Sequence, residues 1–239
     1  MTGDTDTAIG ERTERRYDAV FWDIGGVIVE LRSVREGYAD FITRLAAEYG
    51  FDADAALDQW KSVLGDHFRS REGTAYVTAS EGYSKATASL FDDEPPTDWQ
   101  STLRQCLQAT LRPENGAIEV IETLSDAGVT QAIVSDIDTA EAELMLESFG
   151  VYDRFDHVTT SEAVGFTKPD ERMFLDALEG VGVDPDRTVM VGDRHSHDMV
   201  GAAAVGLSTA GYGEDASGPS TDYQLDDLRD LLDVVGVDA

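Results

Sequence analysis

The chain has 239 residues, 41% of them hydrophobic, and 48 acidic against 18 basic residues give it a formal charge of −30. So acidic a chain repels nucleic acid and anionic membrane surfaces, so neither is an expected partner. No run of about 18 uncharged apolar residues is present to span a bilayer, and the single cysteine, Cys106, excludes an internal disulfide and a cysteine-based zinc site.

The acidic residues spread along the whole chain, as on a solvated surface adapted to high salt, rather than gathering in a tail. Residues 1–16 are polar, lack the apolar stretch of a signal peptide and read as a flexible tail. The expected location is therefore cytoplasmic. Tyr17 to Trp22 reads as a buried strand that runs into Asp23, Gly25 and Gly26, and Val27 to Leu31 reads as extended chain or a hairpin. Strand signals then disappear. Val34, Tyr38, Phe41, Ile42 and Leu45, then Leu57, Trp60 and Leu64, then Trp99, Leu103 and Leu107 recur at helical spacing. Residues 33–112 thus read as an all-helical insertion, with Trp60 and Trp99 in its core and Cys106 as a buried thiol.

After Pro113 an alternating rhythm begins. Helices are expected at Ala117 to Leu124, Glu141 to Phe149, Asp170 to Leu178, Met199 to Val205 and Leu225 to Val235. Strands are expected at Gln131 to Ser135, His157 to Thr160, Thr188 to Val191 and Leu207 to Ala210. Alternation of this kind implies an α/β fold, a three-layer Rossmann-like core whose parallel sheet carries helices on both faces. Residues 17–32 and 113–239 form that core, interrupted by the helical segment.

In an open parallel sheet, ligands bind at the carboxyl ends of the strands. Those ends carry Asp23; Ser135 with Asp136 and Asp138; Lys168 in Thr167-Lys168-Pro169; and Asp193 with Asp198. A carboxylate between apolar runs, as Asp23 is, needs a partner. Asp23, Asp193 and Asp198 together offer hard oxygen ligands for a divalent cation such as Mg²⁺. Without it their charges would repel. Lys168 adds a fixed positive charge and Ser135 a hydroxyl donor. The set fits a phosphoryl group, with one carboxylate as nucleophile.

Four stretches in order, Phe21-Trp22-Asp23-Ile24-Gly25-Gly26-Val27, Ile133-Val134-Ser135-Asp136, Lys168-Pro169-Asp170 and Val191-Gly192-Asp193 with Asp198, make the chain resemble the haloacid dehalogenase-like (HAD) hydrolases. The helical insertion resembles the C1-type cap that closes over the site in that superfamily. The resemblance implies Asp23 as nucleophile and metal ligand, and the Gly25 carbonyl as a further ligand. It gives Ser135, Lys168 and the backbone of Asp136 to the phosphoryl group, and Asp193 and Asp198 to Mg²⁺. The implied activity is hydrolysis of a small phosphate ester through an aspartyl-phosphate.

Two positions depart from the family pattern. Gly25 stands where its phosphatases usually carry an acid–base Asp, and such groups are worth about 10²–10⁴-fold in rate. Asp136 stands where Asn is frequent, and its charged side chain is expected to turn away and cap the Thr139 helix. Hydrolysis of a 2-haloacid, or phosphate binding without turnover, stay open as alternatives. His195 and His197 read as solvated loop residues beside the site, and His67, Arg69 and Arg71 as a small cationic cluster. Nothing in the sequence fixes the oligomeric state.

Overall fold

The computed structural model describes residues 15–92 and 94–238. Among these residues six strands form one sheet: β1 (Ala19–Trp22), β2 (Thr130–Ser135), β3 (His157–Thr160), β4 (Thr188–Gly192), β5 (Ser208–Tyr212) and β6 (Tyr223–Leu225). Their spatial order is β3-β2-β1-β4-β5-β6, and every neighbouring pair is parallel. β1 is Ala-Val-Phe-Trp, apolar at every position, so it suits the middle of a sheet covered on both faces.

The two-residue repeat of the strands divides the core. Val20, Trp22, Ile133, Val189 and Val191 pack on one face, against α5 (Ala117–Asp126), α6 (Thr139–Ser148) and α10 (Asp230–Val235). Ala19, Phe21, Ala132, Val134 and Met190 pack on the other, against α8 (Glu171–Val181) and α9 (Val200–Ala204). A short helix, α7 (Ser161–Val164), follows β3.

Between β1 and α5 the chain forms α1 (Leu31–Tyr49), α2 (Ala53–Arg69), α3 (Ala79–Ala88) and α4 (Trp99–Thr110). These helices have an apolar centre of their own, built on Phe41, Ile42, Leu45, Trp60, Leu103 and Leu107. Each such side chain is worth roughly 1.5–3 kcal/mol when fully buried. Trp60 stacks on Tyr83 and donates its indole N–H to Thr87. Trp60, Trp99 and Cys106 are buried, as their helical spacing predicts, and burial pushes the Cys106 thiol up to about 11.

The observed elements differ from the sequence reading at four places. Tyr17 precedes β1, and its hydroxyl meets Ser208 and Tyr223. Val27 to Leu31 makes no hairpin: the N–H groups of Ile28 and Val29 both return to the Ile24 carbonyl, and Leu31 opens α1. Leu225 belongs to β6 rather than to the last helix, which begins at Asp230. The tail expected over 1–16 lies largely outside the described residues. Arg15 and Arg16 are tied to the core through the carbonyls of Ala127 and Val235.

Candidate active site

β1 lies between β2 and β4, with Trp22 in register with Ile133 and Val191. The residues just past these three strands therefore converge at one sheet edge. Asp23 stands there, buried, its N–H on the Val191 carbonyl at 3.0 Å. Its Oδ1 accepts from the Ile24 N–H at 2.8 Å and Ser135 Oγ at 2.8 Å, and lies 2.9 Å from Lys168 Nζ. None of these bonds uses Oδ2. Ser135, expected to face a phosphoryl group, thus donates to Asp23.

Lys168 is fully buried. Its ammonium donates to the Val134 carbonyl at 2.8 Å and lies 2.6 Å from Asp198 Oδ1. Burial by itself would lower its pKa. The charges of Asp198, Asp23 and Asp136 outweigh burial and hold the ammonium well above the ordinary lysine value. Lys168 is therefore a permanent cation behind the Asp23 carboxylate.

Asp193 and Asp198 follow β4. A wide helical turn over His195–Met199 swings Asp198 back under the strand end, where its Oδ2 accepts the Arg194 N–H at 2.9 Å. Gly192 permits this approach, since a Cβ there would lie 2.3 Å from that of Asp198. Gly26 is required twice over. Its φ of +76° is left-handed, and a Cβ would fall 2.3 Å from Asp193 Oδ2.

Carboxylate oxygens of Asp23, Asp193 and Asp198 all lie within 4.8 Å of one another. Asp193 Oδ1 is buried and, among the described residues, accepts no hydrogen bond. Burial, reinforced by the charges of Asp23 and Asp198, pushes the Asp193 carboxyl up to about 6. Burial also raises Asp198, against the pull of Lys168. Hard, crowded, partly unsatisfied oxygens are the donor set that a small divalent cation fits.

A cavity of ≈330 Å³ opens over this edge, bordered by Asp23, Gly25, Ser135, Asp193 and Arg194. The helical insertion contributes Tyr38, Phe68, Tyr76 and Tyr83 to its walls, and α6 contributes Glu141. Glu141 accepts from the Tyr83 hydroxyl at 2.8 Å, which in turn meets the Tyr38 hydroxyl at 2.7 Å. Burial pushes Glu141 up to about 7, and the charges of Asp138 and Glu162 add to that. Asp138 accepts from the N–H groups of Ala79 and Ser80, both at 2.8 Å, and from the Tyr76 hydroxyl. Sequence reasoning missed Tyr38, Tyr83, Glu141 and Arg194. Arg194 sits within the fourth motif, but the others have only helical periodicity to mark them.

Asp136 corrects its expectation. The N–H of Thr139 goes to Glu162, not to Asp136. The Asp136 carboxylate accepts from Ser161 Oγ at 3.1 Å and the Lys168 N–H at 2.8 Å, and pairs at 3.4 Å with both Arg194 and His197. Burial would raise it, but His197, Lys168 and Arg194 overcome that and hold it at about 2. The histidines are likewise engaged rather than solvated, His197 on Asp136 and His195 accepting the Ser220 N–H. The expected cationic cluster is split. His67 is buried against the Thr78 carbonyl, Arg69 pairs with Asp66, and Arg71 reaches Thr167.

The family model for haloacid dehalogenase-like hydrolase matches residues 17–206. A glyceraldehyde 3-phosphate phosphatase of Methanothermobacter thermautotrophicus is 29% identical over 194 residues, covering 80% of this chain and 83% of that protein. A ribulose-1,5-bisphosphate 5-phosphatase of Halopiger xanaduensis is 29% identical over 208 residues, covering 78% of this chain and 85% of that protein. Among solved structures, a HAD phosphatase from Thermococcus onnurineus is 25% identical with a TM-score of 0.70, and the match covers 92% of this chain and 99% of that one.

Proposed function

The chain belongs to the haloacid dehalogenase-like hydrolases, and from that membership we propose that it is a Mg²⁺-dependent phosphohydrolase of small phosphorylated metabolites. The observation that carries this reading is the arrangement at Asp23. Three donors fix Oδ1 and leave Oδ2 unengaged by them, on a cavity that Asp193 and Asp198 border or back. Asp23, Asp193 and Asp198 would hold the cation, which when bound offsets their charge and that of the phosphoryl oxygens.

In this reading Asp23 Oδ2 attacks phosphorus. The Asp23–phosphorus bond forms as the bond to the leaving oxygen breaks, and that oxygen takes the electron pair and then a proton. Water next attacks phosphorus, which releases phosphate and restores the Asp23 carboxylate. Lys168 pairs with Asp23 and aims it, and Ser135 fixes its rotation. Gly25 offers no proton, so solvent in the cavity protonates the leaving oxygen and activated leaving groups react fastest. Residues 33–112 serve as the cap, bringing Tyr38, Phe68, Tyr76 and Tyr83 to the cavity. Hydrolysis of a 2-haloacid would need no cation and would leave the buried Asp193 Oδ1 without a task.

The relatives named above act on one substrate with a single phosphate and one with two, which supports the class and leaves the individual substrate open. The test is phosphate release from an activated aryl phosphate with Mg²⁺. Release that requires the metal and is lost in Asp23→Asn supports the proposal. Release that persists in Asp23→Asn overturns it. Tight metal-dependent binding of a phosphate analogue with no release would instead mark a binding protein.

A further inference from the structure

A second cavity, of ≈650 Å³, opens beside the first and shares Phe68, Asp136 and Arg194 with it. It is further lined by Arg69, Arg71 and His197. In a chain with 48 acidic and 18 basic residues, the lining of this recess holds three arginines, a histidine and one carboxylate. That carboxylate, Asp136, is already held by the Lys168 N–H, Arg194 and His197.

Arg69 is paired with Asp66 at 2.6 Å, but Arg194 and Arg71 are placed without being saturated. Arg194 stands 3.4 Å from Asp136 and 3.6 Å from Asp193, both longer than the 2.7–2.9 Å typical of a charge-assisted hydrogen bond. Arg71 makes one long hydrogen bond, 3.5 Å to Thr167 Oγ1, and among the described residues no carboxylate pairs with it. The loop that carries Arg71 is pinned to the segment that carries Lys168. The Tyr76 N–H meets the Gly165 carbonyl at 3.0 Å, the Thr167 N–H meets the Thr74 carbonyl at 2.7 Å, and Thr74 Oγ1 donates to Asp170 at 2.8 Å. Arg71 is thereby held next to the site by backbone bonds.

A net charge of −30 repels an anionic substrate, so local cations must offset it. Guanidinium forks match the oxygens of phosphate and carboxylate. The Tyr38–Tyr83–Glu141 wall of the first cavity supplies no cation for a second anion. We propose that the substrate carries a second anionic group, phosphate or carboxylate, besides the phosphoryl that is transferred, and that Arg71, flanked by Arg194, binds it. The assignment rests on the phosphohydrolase reading.

The test uses the full chain with Mg²⁺ at constant ionic strength and four substrates: a pentose bisphosphate, a three-carbon phosphocarboxylate, glycerol phosphate and an aryl phosphate. A second-anion substrate should exceed glycerol phosphate in kcat/KM by at least about 10-fold. That ratio should fall by about 10–100-fold in Arg71→Ala, through KM, and recover in part in Arg71→Lys. The bisphosphate and phosphocarboxylate arms identify which anion is preferred. An unchanged ratio in Arg71→Ala overturns the proposal. Absence of aryl phosphate hydrolysis is instead the failure of the phosphohydrolase reading. Calorimetric binding of the bisphosphate to Asp23→Asn, with and without Arg71→Ala, still decides the subsite, because equal affinities would overturn it.

Discussion

The Asp138 carboxylate, three residues past the end of β2, accepts a 2.8 Å hydrogen bond from the backbone N–H of Ala79 at the start of α3. The Ser80 N–H and the Tyr76 hydroxyl complete its coordination. A core residue therefore satisfies the orphan donors of a helix in the insertion, and the anion suits the positive end of that helix. Asp138→Ala should cost about 1–3 kcal/mol, since it leaves the buried Ala79 N–H, and the partly buried Ser80 N–H and Tyr76 hydroxyl, without their partner. Denaturant unfolding measures the loss, and limited proteolysis should show new cleavage over residues 70–80. A change under about 0.5 kcal/mol would refute the latch.

Lys168 is the single buried cation among the carboxylates of Asp23 and Asp198. Lys168→Met keeps the chain's length and removes the charge. Breaking a buried pair from one side typically costs about 3–5 kcal/mol. The cost should shrink as the pH falls and Asp198, whose pKa burial raises, protonates, so melting curves from pH 8 to pH 5 should approach those of the parent protein. Parallel curves would mean that Lys168 acts through packing rather than charge.

The sheet and the strand-end acids were legible because they depend on short, local patterns. β1 is wholly apolar up to Asp23, and a parallel sheet brings the residues at its strand ends together. β6 was not legible: Tyr223-Gln224-Leu225 has no apolar run, and its pairing with β5 makes it a strand. Asp136 was misread because its partners, Arg194 and His197, lie about 60 residues away and meet it only through the fold. Glu141 and Tyr83 carry no motif at all. They become a pair because the fold brings the Tyr83 hydroxyl of α3 within 2.8 Å of Glu141 on α6, which no periodicity reveals.

Mg²⁺ should stabilise the protein, and more at high pH than at low. In its absence, burial and like charge raise Asp193 to about 6 and raise Asp198 as well. Raised folded-state values mean stability that is present below the unfolded pKa and is lost as the pH climbs through about 6. Chelated protein should therefore weaken between pH 4 and pH 7, and the metal should cancel that loss. At 100 times its dissociation constant the ion contributes about 2.7 kcal/mol. Calorimetric melting with Mg²⁺ and with chelator checks this, and Asp193→Asn should abolish most of the difference. A metal effect independent of pH would place the ion away from these carboxylates.

Glu141 gives a second pH signature, separable from the first by working with Mg²⁺ present. Burial raises it from 4.5 to about 7, with Asp138 and Glu162 adding to the rise and Tyr83 opposing it. Its contribution is thus most favourable below pH 4.5 and declines as the pH passes about 7. Glu141→Gln keeps an acceptor for the Tyr83 hydroxyl and removes the ionisation. The variant should match the parent near pH 5 and exceed it by up to about 3 kcal/mol at pH 8. Urea midpoints at the two pH values make the comparison. An advantage that does not grow with pH would mean that Glu141 is solvated when charged.

Gly25 is the position where the usual proton carrier is missing, and the backbone there allows it to be restored. Gly25 is not among the glycines with positive φ, and a Cβ on it would meet only Leu31 Cδ2, at 3.2 Å, the flexible end of a side chain. Its neighbour Gly26 differs on both counts, so the two glycines have different reasons to be there. Gly25→Asp should fold with little loss and should raise turnover of phosphate esters with poor leaving groups by up to about 10²-fold. Aryl phosphates, whose leaving oxygens need little proton help, should gain least. A plot of log kcat/KM against leaving-group pKa should therefore flatten in the variant. A uniform gain, or none in a protein with an unchanged melting point, would show that protonation of the leaving oxygen does not limit the reaction.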